Sequence, residues 1–288
     1  MKKAGKNGPS PKIFRMINIF VLYAVLIVVS IWVIYPVLYI LGSAFSPQNS
    51  LQGIGVNPFP QTPTLIQFKK LFSTTRYLTW YKNTLLVAAG SCVCTVMVTA
   101  AGAYIFSRYR FPLRRHLMIS FLIFQIFPSF IGMVSIYIIL MRIGGLDRLW
   151  GLVLVYVAGN IPYNMWLVKG YMDSVSKSYD DAARIDGASA FTTFYRIILP
   201  IVKPIIIFVG ITSFSGPWMD FIFPRMILRS DDKITLAVGL YQLISGRAAT
   251  NYTEFAAGAL LVAVPFVILF LMGQNAMMTA FGTAGVKE

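Results

Sequence analysis

Six stretches of this chain are long, apolar and almost free of charge. Met16 to Ala44 runs for 29 residues without Asp, Glu, Lys or Arg. Asn83–Ser107, Leu117–Met141, Leu149–Val168 and Phe255–Gln274 repeat the pattern, and Pro204–Pro224 is interrupted only by Asp220. A helix of about 20 apolar residues crosses the hydrocarbon core of a bilayer. Its backbone groups are all satisfied internally, which a medium without water demands. The expected fold is therefore an all-α integral membrane protein with six transmembrane helices. Only 12% of the 288 residues are charged, about half the share in soluble domains, too few to coat a water-soluble globule. The first run follows Lys2, Lys3, Lys6, Lys12 and Arg15. It outlasts the roughly 7–15 apolar residues of a cleaved signal, so it reads as a retained span.

Six spans put both termini on one side, and Lys and Arg indicate which. Of the 25 basic residues, 15 fall on segments 1–16, 108–116, 169–203 and 275–288. The excess places these segments, and both termini, in the cytoplasm. The densest is Arg108-Tyr109-Arg110-Phe111-Pro112-Leu113-Arg114-Arg115. The net charge of +15 thus belongs to loops beside a membrane, with lipid as the neighbour and no nucleic acid expected. The organisation reads as a basic N-terminus (1–15), a six-span membrane domain (16–275) with one long loop (169–203), and a cytoplasmic tail (276–288).

Most site chemistry is excluded. Cys92 and Cys94 lie about 200° apart on a helix and do not face each other. Two thiols cannot hold a structural zinc alone, and no metal site is expected. His116 sits among headgroup-level arginines. No G-x-x-x-x-G-K-[ST] occurs, so the chain lacks the phosphate cradle for using ATP itself. No catalytic triad is recognisable, and an enzyme is not expected.

The 169–203 loop is too long for a turn. Ser178 to Asp181 fits a capping box with Ser178 as N-cap, and acidic 180 and 181 suit the helix dipole. Ala182 and Ala183 favour helix without bulk. Gly187 stands where a left-handed residue ends a helix, and Ser189 can cap a second one. Phe191, Phe194 and Ile198 recur at helical spacing, the two aromatics as candidate anchors, and Pro200 and Pro204 lead into the fifth span. The pattern predicts two short helices around a glycine turn. By residues alone it is either a docking surface or an interfacial hairpin without a partner.

Asp181-Ala182-Ala183-Arg184-Ile185-Asp186-Gly187-Ala188, then Phe194, Ile197 and Leu199-Pro200, closely resembles the EAA motif of bacterial ABC-importer permeases. The departure is Asp181, where that motif has Glu. Trp166-Leu167-Val168-Lys169-Gly170-Tyr171, Thr235-Leu236-Ala237-Val238-Gly239-Leu240 and the C-terminal Thr283-Ala284-Gly285-Val286-Lys287-Glu288 resemble the carbohydrate permeases, specifically the MalG-type subunit of maltose and maltodextrin systems. The likeness covers roughly residues 15–288. It implies an inner-membrane permease that pairs with a second permease, two ATPase subunits and an extracellular sugar-binding protein. ATP and magnesium would be bound by the ATPases, leaving this chain without a cofactor. It implies that Asp181, Ala182, Ala183, Asp186, Gly187, Ala188, Phe194, Leu199 and Pro200 form the ATPase-coupling unit, and that Gly285, Val286 and Lys287 reach the ATPase pair. The outer loop near Arg229–Glu254 would touch the binding protein.

Candidates for the solute pathway are few. Asp220 is an ionisable group at membrane depth, a functional candidate by default. With Trp218 beside it, a carboxylate and an aromatic face suit a sugar; Asp220 could equally cap a kink. Gln125, Asn160 and Asn164 are further polar groups within spans. A carrier driven by ions would need more intramembrane charge than Asp220 supplies. Another cargo for the same kind of permease remains an alternative.

Overall fold

A computed structural model describes residues 11–49, 57, 59–126, 128–245 and 251–282. In chain order the helices are α1 (Pro11–Ala44), α2 (Ile66–Thr74), α3 (Tyr77–Arg108), α4 (Arg114–Ile126), α5 (Met133–Arg142) and α6 (Leu149–Asp173). There follow α7 (Ser178–Ile185), α8 (Ala190–Ile201), α9 (Lys203–Met219), α10 (Ile222–Ile227), α11 (Leu236–Ile244) and α12 (Tyr252–Gly282).

Helices α1, α3, α6 and α12 are each long and apolar enough to cross a bilayer, and two bent pairs bring the count to six. The third expected span is broken: α4 meets Phe130–Arg142 at 90°. Pro128 stands at the break, where its ring denies the helix a donor and crowds the preceding turn. The fifth span ends at Met219 rather than Pro224, and α8 meets α9 at 80°. Pro204 sits in the first turn of α9, the position a helix tolerates best.

Helix α3 is the hub. It packs against α6, α9 and α11. The small residues expected to allow close approach do so: Met165 of α6 lies against Gly102, and Val153 against Gly90. Alone among the six span units, α3 is one continuous helix without proline; α1, α6, α9 and α12 carry Pro36, Pro162, Pro217 and Pro265. Its 32 residues reach about 48 Å at 1.5 Å each.

Two apolar clusters sit at opposite ends of α3. One gathers Tyr104, Phe106, Met165, Met172, Ile198 and Ile205 at the hairpin end. The other gathers Tyr77, Trp80, Trp218, Leu236 and Leu240. Outside these, large apolar side chains face outward along whole helices, as with Phe20 and Trp32 of α1 and Phe270 and Met272 of α12. Such contiguous apolar surface requires a membrane or partner helices to cover it.

Candidate functional site: the α7–α8 hairpin and its anchor

The local sequence closes this hairpin tightly. Helix α7 begins one residue earlier than its capping pattern suggests, because the Lys177 carbonyl already accepts from the amides of Asp180 (2.9 Å) and Asp181 (3.0 Å). Ser178 is therefore not the N-cap. Its amide instead donates to Ser176 Oγ at 3.2 Å. At the other end the amide of Gly187 donates to the Arg184 carbonyl (3.0 Å) and that of Ala188 to the Ala183 carbonyl (2.9 Å). This is a Schellman closure, and Gly187 adopts the φ of +76° that it needs. Ser189 then caps α8, its Oγ accepting from the Thr192 amide at 3.2 Å. Residues Thr193–Ile198 continue as a π-helix before α8 tightens again.

The two faces of the hairpin differ in chemistry. Outward lie Asp181, Ala182, Asp186 and Gly187, with Tyr179, Phe191, Tyr195 and Ile185, the last 87% exposed. Asp181 and Arg184 form an exposed ion pair at 3.9 Å. Phe191 is not an anchor as its spacing suggested; it stacks parallel on Tyr195 at 6.2 Å between ring centres, out in the open. Pro200 is exposed, and Ala188 and Leu199 are half-buried. Inward lie Ala183, with no bulk to hold α7 away, and Phe194, whose ring sits 5.0 Å from that of Tyr104.

The anchor is a buried charge pair that spacing alone does not reveal. Arg108 ends α3 and Asp180 lies in the first turn of α7, and their side chains are 4% and 8% exposed. Arg108 Nε stands 2.9 Å from Asp180 Oδ2, at ion-pair contact though not aligned as a hydrogen bond. The guanidinium also donates to the carbonyls of Met172 (3.3 Å) and Val175 (3.1 Å). Tyr104 Oη donates to Asp180 Oδ1 at 3.3 Å, and Ser107 Oγ to Asp173 Oδ1 at 2.7 Å. Lys169 pairs with the same Asp173 carboxylate. The end of α3 is thus tied to the end of α6, to the linker after it and to α7.

At the far end of α3 the ties run to the 228–236 segment. Asn83 Nδ2 donates to the carbonyls of Asp232 (2.9 Å) and Ile234 (3.0 Å), and the Leu236 amide donates to Thr84 Oγ1 (2.8 Å). Asp147 locks the same segment. Its carboxylate accepts from the amides of Arg229 and Ser230 (3.0 Å each), Ser230 Oγ (2.5 Å) and Lys233 Nζ (3.1 Å). The Ser230 and Arg229 donors hold the Asp147 carboxyl well below the usual carboxylate range.

The pathway candidates separate. Gln125, Asn160 and Asp220 line one cavity of about 710 Å³ with Phe124, Tyr156 and Phe223. Within it Asp220 is already engaged: Oδ1 accepts from the Ile222 amide (2.8 Å) and caps α10, and Oδ2 accepts from Tyr156 Oη (2.9 Å). Trp218 is not its companion. It is buried in the other cluster, 5.0 Å from the Tyr81 ring and 6.2 Å from that of Phe266. Asn164 is also buried, its Nδ2 donating to the Asn160 carbonyl at 2.9 Å. Gly285, Val286 and Lys287 lie outside the described residues. No group of His, Cys, Asp and Glu able to hold a metal occurs among the described residues.

A proline-broken bundle of four helices and two bent pairs able to cross a bilayer, with an anchored hairpin at one end, is the architecture of a multi-pass membrane protein. The chain belongs to the family described as binding-protein-dependent transport system inner membrane component, which matches residues 93–281. It is 40% identical to the maltodextrin transport system permease protein MdxG of Bacillus subtilis (strain 168), over 95% of this chain and 98% of that protein. It is 36% identical to the galactooligosaccharides transport system permease protein GanQ of the same organism, over 96% and 98%. In fold it matches a chain from a bacterial ABC transporter that imports the acidic polysaccharide alginate, with a TM-score of 0.79 at 22% identity, covering 95% of this chain and all of that one.

Proposed function

We propose that the chain is one of two permease subunits of an ATP-driven importer of neutral oligosaccharides, with maltodextrins as the favoured cargo. The relatives named for maltodextrin and for galactooligosaccharides share oligosaccharide as the substrate class. The chain itself hydrolyses nothing. ATP and magnesium belong to two separate ATPase subunits, and an extracellular binding protein delivers the sugar. Both termini and the hairpin face the cytoplasm, in keeping with the distribution of Lys and Arg.

The observation that carries the reading is the division of the hairpin into an anchored face and an open one. Asp180, Ala183 and Phe194 fasten it to the spans, while Tyr179, Asp181, Ala182, Ile185 and Asp186 stand free of the bundle. An ATPase cleft grips the open face. Arg108 and Asp180 pass its displacement to α3, a continuous helix whose other end is bonded to the outer segment near Asn83 and Thr84. The cavity at Gln125, Asn160 and Tyr156 forms this subunit's wall of the pathway. Asp220 shapes that wall by capping α10.

The test is capture of the ATPase subunit on tagged permease after Ile185→Asp, a change on a side chain that contacts little of its own fold. Recovery of the ATPase should fall at least tenfold while the permease pair stays folded. Undiminished recovery with normal uptake would refute the docking assignment.

A further inference from the structure

At the hairpin end a second cavity, of about 650 Å³, opens beside the bundle. Its rim carries Arg110, Arg114, Arg115 and Lys169, and its walls are Phe111, Leu113, Ile119 and Trp166. It arises from the tight turn between α3 and α4. Leu113 sits at a φ of +68°, a conformation costly for a side chain bearing Cβ, and this sharp reversal brings Arg110 back toward the first turn of α4. Trp166 closes one side, its Nε1 donating to the Met118 carbonyl at 2.7 Å. The indole is thereby fixed with its ring as wall.

The charge here is unbalanced. Among the described residues Lys169 has Asp173, but Arg110, Arg114 and Arg115 have no carboxylate within 4.0 Å. The amides opening α4 add positive potential of their own. Three guanidinium groups around one concavity are suited to an oxyanion that accepts several donors at once, as a phosphate ester does. The exposed Leu113, Leu117 and Ile119 lie beside it at the level where an apolar span ends. A soluble phosphate would have no use for those apolar side chains; an acyl chain would.

We propose that this cavity binds the phosphodiester headgroup of an anionic phospholipid, with the acyl chains lying along α4. The site is separate from the docking face of the hairpin and does not depend on the transported sugar. Basic pockets between spans on the cytoplasmic side favour such headgroups, each Arg contributing roughly fivefold in binding.

The test uses the assembled importer in nanodiscs of phosphatidylcholine with or without phosphatidylglycerol, followed by native mass spectrometry of retained lipid. The parent should keep phosphatidylglycerol in preference to phosphatidylcholine. Arg110→Gln/Arg114→Gln/Arg115→Gln should lose it by about a hundredfold, and the corresponding triple Lys variant should keep most of it. The single exposed change Arg115→Gln, with an expected fivefold loss, keeps the test valid if the triple variant folds poorly. Equal retention in the parent and the Gln variants would overturn the proposal, as would equal retention of the zwitterionic lipid. Displacement by soluble glycerol phosphate as readily as by lipid would assign the pocket to a free phosphate and overturn the lipid assignment. Loss of the ATPase subunit from the Arg115→Gln variant would place the arginines in the docking face instead, again overturning it.

Discussion

Removing one partner of the Arg108–Asp180 pair should be among the most damaging single changes at the hairpin end. Both side chains are almost wholly buried, and the ions stand 2.9 Å apart. Taking two charges out of water costs several kcal/mol each, so the intact pair contributes little net stability. Breaking it is different, because one uncompensated charge stays inside. That costs about 3–5 kcal/mol. Asp180→Asn leaves Arg108 its neutral acceptors, the Met172 and Val175 carbonyls and the Ser107 hydroxyl, and should fall at the lower end of that range. Arg108→Met strands the carboxylate with the Tyr104 hydroxyl as its remaining donor and should fall at the upper end. Arg108→Met with Asp180→Leu leaves no charge behind and should cost well under the sum of the two. Reversible unfolding of the purified permease in mixed micelles, as a double-mutant cycle, measures the coupling directly. A contrast is built in. The Lys169–Asp173 pair is partly exposed, at 16% and 42%, so Lys169→Met should cost about 0.5 kcal/mol. Equal costs for Lys169→Met and Arg108→Met, or strict additivity in the cycle, would refute the claim that a buried pair fastens α7 to α3.

Four further outcomes are expected. Gly187→Ala places a Cβ in open space but at φ +76°, so strain of about 1–2 kcal/mol should loosen the hairpin, and ATPase recovery should fall while insertion is unchanged. Asp220→Asn keeps a cap for α10 and should reduce uptake less than Gly187→Trp; Asp220→Ala removes the cap and orphans Tyr156, costing about 2 kcal/mol in thermal stability. Asp147 has a carboxyl held below its ordinary value of 3.8, so it stabilises above that pH and its contribution is lost as pH falls below it; the melting difference between parent and Asp147→Asn should shrink on going from pH 7 to pH 3. Gly239→Ala drives a methyl into the Trp80 ring, and a melting curve should show a loss of about 1–3 kcal/mol from overpacking.

The spans were legible because lipid imposes one simple demand, an apolar helix of sufficient length, and Met16–Ala44 or Phe255–Gln274 meets it without ambiguity. Caps were partly legible. Gly187 and Ser189 behave as their local chemistry suggests, since a left-handed turn and an N-cap depend on the residue itself. Ser178 does not, because the linker's own geometry offers the Lys177 carbonyl first. Phe191 and Phe194 look alike in spacing, and only the packing of Tyr104 decides which is the anchor. Tertiary pairing was the least legible. Nothing local distinguishes Asp180, buried on Arg108, from Asp181, exposed beside it. Trp218 and Asp220, two positions apart at the end of α9, go to different environments because the helix stops between them. The motif resemblance directed attention to the hairpin, while the residue that fastens it, Arg108, lies 73 positions before Asp181 in what read as a charge cluster.

The central claim is that this chain moves sugar only when a separate ATPase grips its hairpin. Uptake of radiolabelled maltotetraose into proteoliposomes holding both permeases tests it most directly, with and without the ATPase subunits and with the binding protein outside. Uptake should require the ATPase and internal ATP, and Ile185→Asp should abolish it in a folded permease. Accumulation driven by an ion gradient without the ATPase, or undiminished transport by the Ile185→Asp variant, would contradict the account.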